Sequence, residues 1–364
     1  MKKPAALTGH TVGTLCIIVE KPTTLKITDM KIKLLISVLL LFTFSCEKDD
    51  NSKSDSKPNS ISYESSYSTE PRPISISYKN VNQTLYVANY NPSKNDYSAK
   101  IQAFNNEGIH VKTVVDFESF ELGNFERYAP VDFTFGKNLN LYILVRPLIK
   151  LIDDTWTTPT GFSILQFDNS DSFIRELDFS NIDGEGRPSS ISYYKNQLYV
   201  TNGQILKQIN PETQQVDNIT LPVNDTNSGT WPYLHTTDME INTNGIIYFT
   251  GQASFNNDSV GCHLSSYNIE SKELTINYAK GWTWMCCAML NNPGLFISND
   301  GYLYLASFYK MNLEIYDKNI DFIIDCDTRT SQFEQTRPID IVYFNGKIFV
   351  ADNFNNQIHV FKQD

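Results

Sequence analysis

The chain has 364 residues, with 30 Lys/Arg against 41 Asp/Glu and a net charge of −11. Such an acidic chain is a poor partner for nucleic acid, because that binding is driven by cations displacing counterions from phosphate. Tyr (20) and Phe (22) are abundant and long Ala/Glu/Leu/Lys periodic stretches are missing, so the composition points to an all-β fold with little helix.

In chain order, the first feature is LLISVLLLFTFSCEKDD, residues 34–50. The apolar run Leu34–Phe44 has eleven residues, whereas a membrane-spanning helix needs about 20. It follows the basic stretch Met30-Lys31-Ile32-Lys33 and ends at Phe44-Ser45-Cys46. These residues resemble a bacterial lipoprotein signal, with Cys46 as the lipidated first residue of the mature chain. Thr43 stands where such signals usually carry Leu. A signal needs its basic end at the N-terminus. Residues 1–29 therefore read as an extension ahead of the true start at Met30, and 30–45 as the signal peptide. Residues 46–59 read as a polar tether, rich in Ser, Asn, Lys and Asp. The patch Glu47-Lys48-Asp49-Asp50 resembles the surface-export signal of Bacteroidetes lipoproteins. The expected location is the outer membrane, with cell surface and periplasmic face both open. The first 45 residues hold six of the 30 basic and two of the 41 acidic residues, so the remainder carries 24 against 39, net −15. Membrane attachment then rests on lipid at Cys46.

Residues 60–364 are organised as repeats. The C-terminal unit, RPIDIVYFNGKIFVADNFNNQIHVF from Arg337, reads as strand, Asn-Gly turn, strand, polar loop, strand. The pattern recurs from Arg72, Tyr128, Arg187, His235 and Asn292. The Pro or its equivalent falls at 73, 130, 188, about 235, 293 and 338, a spacing of 45 to 58 residues that suits propeller blades. In the fourth unit His235 is read in place of the Pro. Fourth strands are expected at HVKTVVDFE, IRELDFS, VDNITLP, ELTINYAKG and FIIDCD. The last unit has no such segment, so Ser60–Tyr67 is expected to supply its outer strand and close the ring, removing free sheet edges.

The units resemble NHL repeats, of shape P-x-x-[IV]-x-[IV] … G-x-[IL]-[YF]-V-[AT]-[DN] … I-x-x-[FY]. The last unit matches through Pro338, Ile341, Gly346, Ile348 to Asp352, Ile358 and Phe361. This resemblance implies a six-bladed β-propeller with four-stranded blades. A fold of this kind does not fix an activity.

In a propeller the first strand of each blade lines the central channel. The loop before it and the loop after the second strand open on one face. Arg72, Arg127, Arg187 and Arg337 stand just before inner strands, a local positive ring in an acidic chain. Two readings are open: a pocket for an anionic ligand such as an acidic sugar, since Arg forks grip carboxylate or phosphate, or a staple to an acidic residue of the next blade. Tyr90, Trp231, His235 and Asn353 are expected on the same face. The segment GWTWMCCAML, 281–290, adds Trp282 and Trp284, which either stack on a flat ligand such as a sugar ring or plug a blade interface. The adjacent Cys286 and Cys287 suit a vicinal disulfide in an exported protein. With Cys262 and Cys326 three full pairings exist, and Cys262 and Cys326 are not expected to pair with each other.

Catalytic signals are sparse. No two His stand at metal-ligand spacing, and no nucleophile elbow, P-loop or EF-hand loop occurs. His235 is the only His expected near the channel mouth. No cofactor is predicted; a divalent metal in the channel stays open, and no carboxylate cluster is visible there. The leading expectation is a lipid-anchored propeller that binds a small molecule, glycan or protein on its channel face. One alternative is an enzyme of lyase or lactone-hydrolase type using His235, Tyr90 and Arg187 or Arg337, as the resemblance implies. The other is a scaffold in an outer-membrane assembly that uses the blade sides.

Overall fold

The computed structural model describes residues 58–364, apart from 94–96, 121–126, 151–155, 158–160, 180–187, 203–204, 222–232, 256–258, 279–293 and 309. The proposed signal, Cys46 and most of the tether lie outside the described residues. Twenty-five strands and two short 3-10 turns make up the regular structure among these residues. They form six antiparallel sheets, the blades of a propeller.

From channel to rim, blade 1 runs through 73–79, 84–91, 98–104 and 110–116, and blade 2 through 127–135, 141–150, 163–167 and 173–178. Blade 3 uses 188–194, 197–202, 205–209 and 216–220; blade 4 uses 233–241, 246–255, 259–268 and 274–278. Blade 5 uses 294–297, 303–307, 312–316 and 322–327. Blade 6 is 338–344, 347–352 and 357–363, and its outer strand is 61–68 from the other end of the chain. The closure expected from Ser60–Tyr67 is thus present, with Tyr67 opposite Ile358 and Ile61 opposite Gln363.

Local chemistry sets these elements. Pro73, Pro188 and Pro338 are first residues of inner strands, a place where a missing N–H costs no ladder bond. The first turns of blades 3 and 6 carry two consecutive positive φ values, Lys195-Asn196 (45° and 64°) and Asn345-Gly346 (50° and 76°). That is the conformation of a tight primed hairpin turn. A bulge follows the Pro of each inner strand in blades 1, 2, 3 and 6, between Pro73 and Ser75, Pro130 and Asp132, Pro188 and Ser190, and Pro338 and Asp340. In blade 4 the same bulge lies between Thr236 and Asp238. Thr236 therefore occupies the Pro position there, which corrects the sequence assignment to His235. Only the pairing register reveals the one-residue offset.

Packing between blades is also encoded in the repeat. In blades 1, 2, 5 and 6 the aromatic residue near the start of the second strand meets an aromatic residue on the inner strand of the following blade, while Tyr199 and Tyr248 of blades 3 and 4 pack in clusters with Ile241 and Ile297. Tyr86 meets Phe135 at 5.1 Å, Tyr142 meets Tyr193 at 6.0 Å and Tyr304 meets Tyr343 at 5.0 Å between ring centroids. Phe349 of blade 6 meets Tyr78 of blade 1 at 6.2 Å, which carries the pattern across the closure. Each such pair adds about 0.5–1.5 kcal/mol beyond its area burial. Inner and second strands are largely buried, while outer strands such as 110–116 and 322–327 face solvent.

Candidate functional site

In blades 1, 2, 3, 4 and 6 the bulged position turns one side chain of the inner strand into the channel. Blades 2, 4 and 6 place Asp132, Asp238 and Asp340 there, and blades 1 and 3 place Ser75 and Ser190. Asp132 accepts from Ser75 Oγ at 2.7 Å and Ser190 Oγ at 2.7 Å, and from the backbone N–H of Phe133 and Ile191. Asp238 shares the same Ser190 Oγ at 2.8 Å and accepts from the N–H of Met239 and Leu295. Asp340 accepts from the N–H of Ile341 and, across the closure, Ile76 at 2.6 Å. Each carboxylate thus ties its own blade to the inner strand of the next. Blade 5 carries Gly294 beside Asp340. A Cβ on Gly294 would lie 2.2 Å from Asp340 Cα and 2.6 Å from Ile339 O. Gly294→Ala is expected to lower stability by about 3 kcal/mol or more, read as the urea unfolding midpoint; an unchanged midpoint would contradict this packing.

Glu240 joins the ring, accepting from Ser192 Oγ at 3.3 Å. The four carboxyls border a void of about 30 Å³, room for about one water; Asp340 is buried and Asp132, Asp238 and Glu240 are half-buried. Burial raises all four pKa values. Asp238 rises to about 7 and Glu240 to about 8, in both cases through burial first and neighbouring carboxylate charge second. Asp340 is pushed well above the usual carboxylate range for the same reasons, and Asp132 is raised despite its four donors. This cluster corrects the sequence expectation that the channel shows no carboxylates. Its signal was the second residue after the Pro, or after Thr236 in blade 4: Ser75, Asp132, Ser190, Asp238 and Asp340. Among the described residues no three His, Cys, Asp or Glu side chains are arranged to hold a metal ion; the Asp oxygens are spent on hydroxyls and amides.

One channel mouth has a different character. Arg72 and Tyr90 of blade 1 are linked by Tyr90 N–H to Arg72 O at 3.0 Å. Asn353 of blade 6 donates its N–H to Arg337 O and its Nδ2–H to Pro73 O at 2.9 Å, bridging blades 6 and 1. The Arg337 guanidinium lies 4.6 Å from the Phe308 ring of blade 5. Burial first, and then the nearby Arg72 charge, lower its pKa. Arg127 of blade 2 lies 4.2 Å from the Tyr97 ring, which in turn packs edge-on against Tyr90. Burial raises the Tyr90 phenol and the charge of Arg146, another blade 2 residue, pulls it back. An arc of cations and aromatic rings therefore runs over blades 5, 6, 1 and 2. The contact described for Arg127 and Arg337 is an aromatic ring of the preceding blade.

Of the other expected site residues, His235 lies on the blade 4 inner strand opposite Gln252, on another arc of the ring from Tyr90 and Arg337. Arg187, Trp231, Trp282, Trp284, Cys286 and Cys287 lie outside the described residues. Cys326 is a free thiol on the blade 5 outer strand. Sequence reasoning missed Tyr97, the aromatic partner of Arg127.

Comparison with known proteins identifies no matching family and no matching curated protein. Solved structures do match. Virginiamycin B lyase from Staphylococcus aureus aligns with a TM-score of 0.51 at 10% identity, over 83% of this chain and 99% of the lyase. A Bacteroides thetaiotaomicron protein of unknown function aligns with a TM-score of 0.53 at 15% identity, over 85% of this chain and 74% of that one. At such identities the likeness is one of fold, and the fold they share with this chain is the propeller.

Proposed function

We propose that this chain is a lipid-anchored binding protein outside the inner membrane, whose arginine-lined channel mouth takes an anionic ligand. The observation that carries the reading is the continuous arc Arg337, Arg72, Arg127 with its rings Phe308, Tyr90 and Tyr97. A guanidinium held on an aromatic face keeps its N–H fork fixed, so less entropy is lost when it grips a carboxylate. The channel's own acids face one another below and are tied up in the ring, so the mouth offers a cationic surface in a chain of net charge −11. Attachment through Cys46, an NHL-type repeat lineage and export to the outer membrane belong to the same reading and rest on the sequence.

The test is calorimetry of the full chain with galacturonate oligomers and with their neutral galactose counterparts. Binding is expected for the acidic series, weakened by added salt. Arg337→Ala and Arg72→Ala are each expected to weaken it about tenfold or more, the worth of a charge-assisted hydrogen bond. Equal binding of both series, or indifference to both substitutions, would refute the reading.

A further inference from the structure

A cleft of about 290 Å³ opens on the opposite face, between blades 2 and 3. That size approaches the lower end of small-ligand pockets. It is built from the first turns of both blades and the last turn of blade 3. Tyr142 and Tyr193 line it with their rings nearly parallel, 12° apart. Gly136 lies against this pair: a Cβ there would sit 2.6 Å from Tyr142 Cε2 and 2.9 Å from Tyr193 Cδ2. The backbone is thus bare where the two rings close on it.

Around the rings converge four amide side chains, Asn138, Asn140, Asn196 and Asn210. Asn138 and Asn196 hold φ of 57° and 64°, which accounts for Asn in those turns. Turn geometry does not account for their convergence on one aromatic pair. Asn196 Oδ1 accepts from Tyr193 Oη at 3.0 Å, and Asn210 Oδ1 accepts from the N–H of Glu212 and Thr213. Both keep their NH₂ donors for another partner. The wall is fixed in advance: Arg175 donates to Gln166 at 2.8 Å and to Pro211 O at 2.8 Å, and Gln166 donates to Tyr142 Oη at 3.1 Å. Arg175 also pairs with Glu212 at 3.4 Å, and Lys137 stands at the lip.

Planar amides, phenol hydroxyls and an aromatic floor match a ligand that is ring-shaped and rich in hydroxyls, as a neutral sugar is. We propose that this cleft is a second binding site, for a neutral sugar ring, separate from the cationic mouth. The amides read the hydroxyls and the half-buried Tyr193 ring takes the apolar face of the sugar.

The test is saturation-transfer NMR and calorimetry of the full chain with glucose, galactose, mannose, N-acetylglucosamine, maltose and cellobiose. At least one is expected to bind in the millimolar range. The double variant Asn138→Gly/Asn196→Gly keeps both turns, because glycine accepts positive φ freely, and removes only the amides. It is expected to weaken binding about tenfold or more, while Arg337→Ala leaves it within twofold. Three results would each overturn the proposal: no saturation by any of the six sugars, unaltered affinity in the double glycine variant, or loss of sugar binding in Arg337→Ala. The last would move the sugar to the cationic mouth. Failure here leaves the anionic-ligand reading standing, since that is read with acidic oligomers at the other face.

Discussion

A chain that starts at Thr69 is expected to be markedly less stable than a chain that starts at Ser56. The strand 61–68 is the outer strand of blade 6, and its removal leaves 357–363 as a bare edge. Its side chains also reach three blades. Tyr67 packs on Phe104 of blade 1 at 5.4 Å, and its ring fills the space where a Cβ on Gly108 would stand. Tyr63 meets Phe361 of blade 6 edge-on at 5.7 Å. Ile61 packs with the blade 5 and blade 6 cluster that includes Cys326. Full burial of a side chain this size contributes about 1.5–3 kcal/mol; Ile61 and Tyr67 are half-buried and Tyr63 is 37% exposed. Their joint loss, of order 3 kcal/mol on that scale, is a large part of the total stability of an ordinary domain. Thermal melting followed by circular dichroism should show a midpoint lowered by about 10 °C or more. A peptide of residues 58–68 added in trans should restore part of it by strand addition. Superimposable melts of the two chains would contradict the closure.

Stability is expected to fall as the pH rises from about 5 to about 8, the reverse of the usual carboxylate behaviour. In the unfolded chain Asp238 and Glu240 titrate near their ordinary values of 3.8 and 4.5; in the fold they titrate at about 7 and about 8. Between those limits the folded state holds more protons than the unfolded one, so unfolding releases protons and is favoured by rising pH. Stability is fully present below each group's unfolded value and falls by up to about 1.4 kcal/mol per pH unit and group as pH climbs from there to the folded value. Asp340 and Asp132 are shifted in the same direction. Asp352 acts oppositely. Its burial is outweighed by hydrogen bonds from His359 and Asn355, so it is held below the ordinary carboxylate value and weakens the fold only in stronger acid. Urea unfolding at a series of pH values measures the slope. Glu240→Gln, a neutral isostere, should flatten the profile and be the more stable protein at pH 8. A profile that rises from pH 5 to 8, or one that Glu240→Gln leaves unchanged, would show that the channel acids are not held as described.

Much of the fold could be read from the chain because a propeller repeats its local chemistry. Proline, turn and alternating apolar residues recur from blade to blade, so FIIDCD was placed at the outer strand 322–327 and the closing strand was found by elimination. The acid ring escaped because its meaning lies between repeats. Asp132 and Ser190 are 58 residues apart and meet only when bulged inner strands stand side by side around the channel. A single strand shows at that position only one more polar residue in an alternating pattern. The arginines were found from their recurrence before the inner strands, but their partners were not. The placing of the Arg337 guanidinium over the Phe308 ring depends on side-chain direction across a blade interface, which spacing along the chain does not encode. The cleft between blades 2 and 3 was hidden for another reason: Asn138 and Asn196 look like ordinary turn residues until two turns from different blades converge.

The most direct test of the binding face is hydrogen exchange of the full chain with and without a saturating galacturonate oligomer. The account predicts slowed exchange confined to the amides around Arg72, Tyr90, Arg337 and Asn353, which share one mouth of the channel. Protection at the blade sides or at the cleft around Tyr193, with the mouth unchanged, would contradict it.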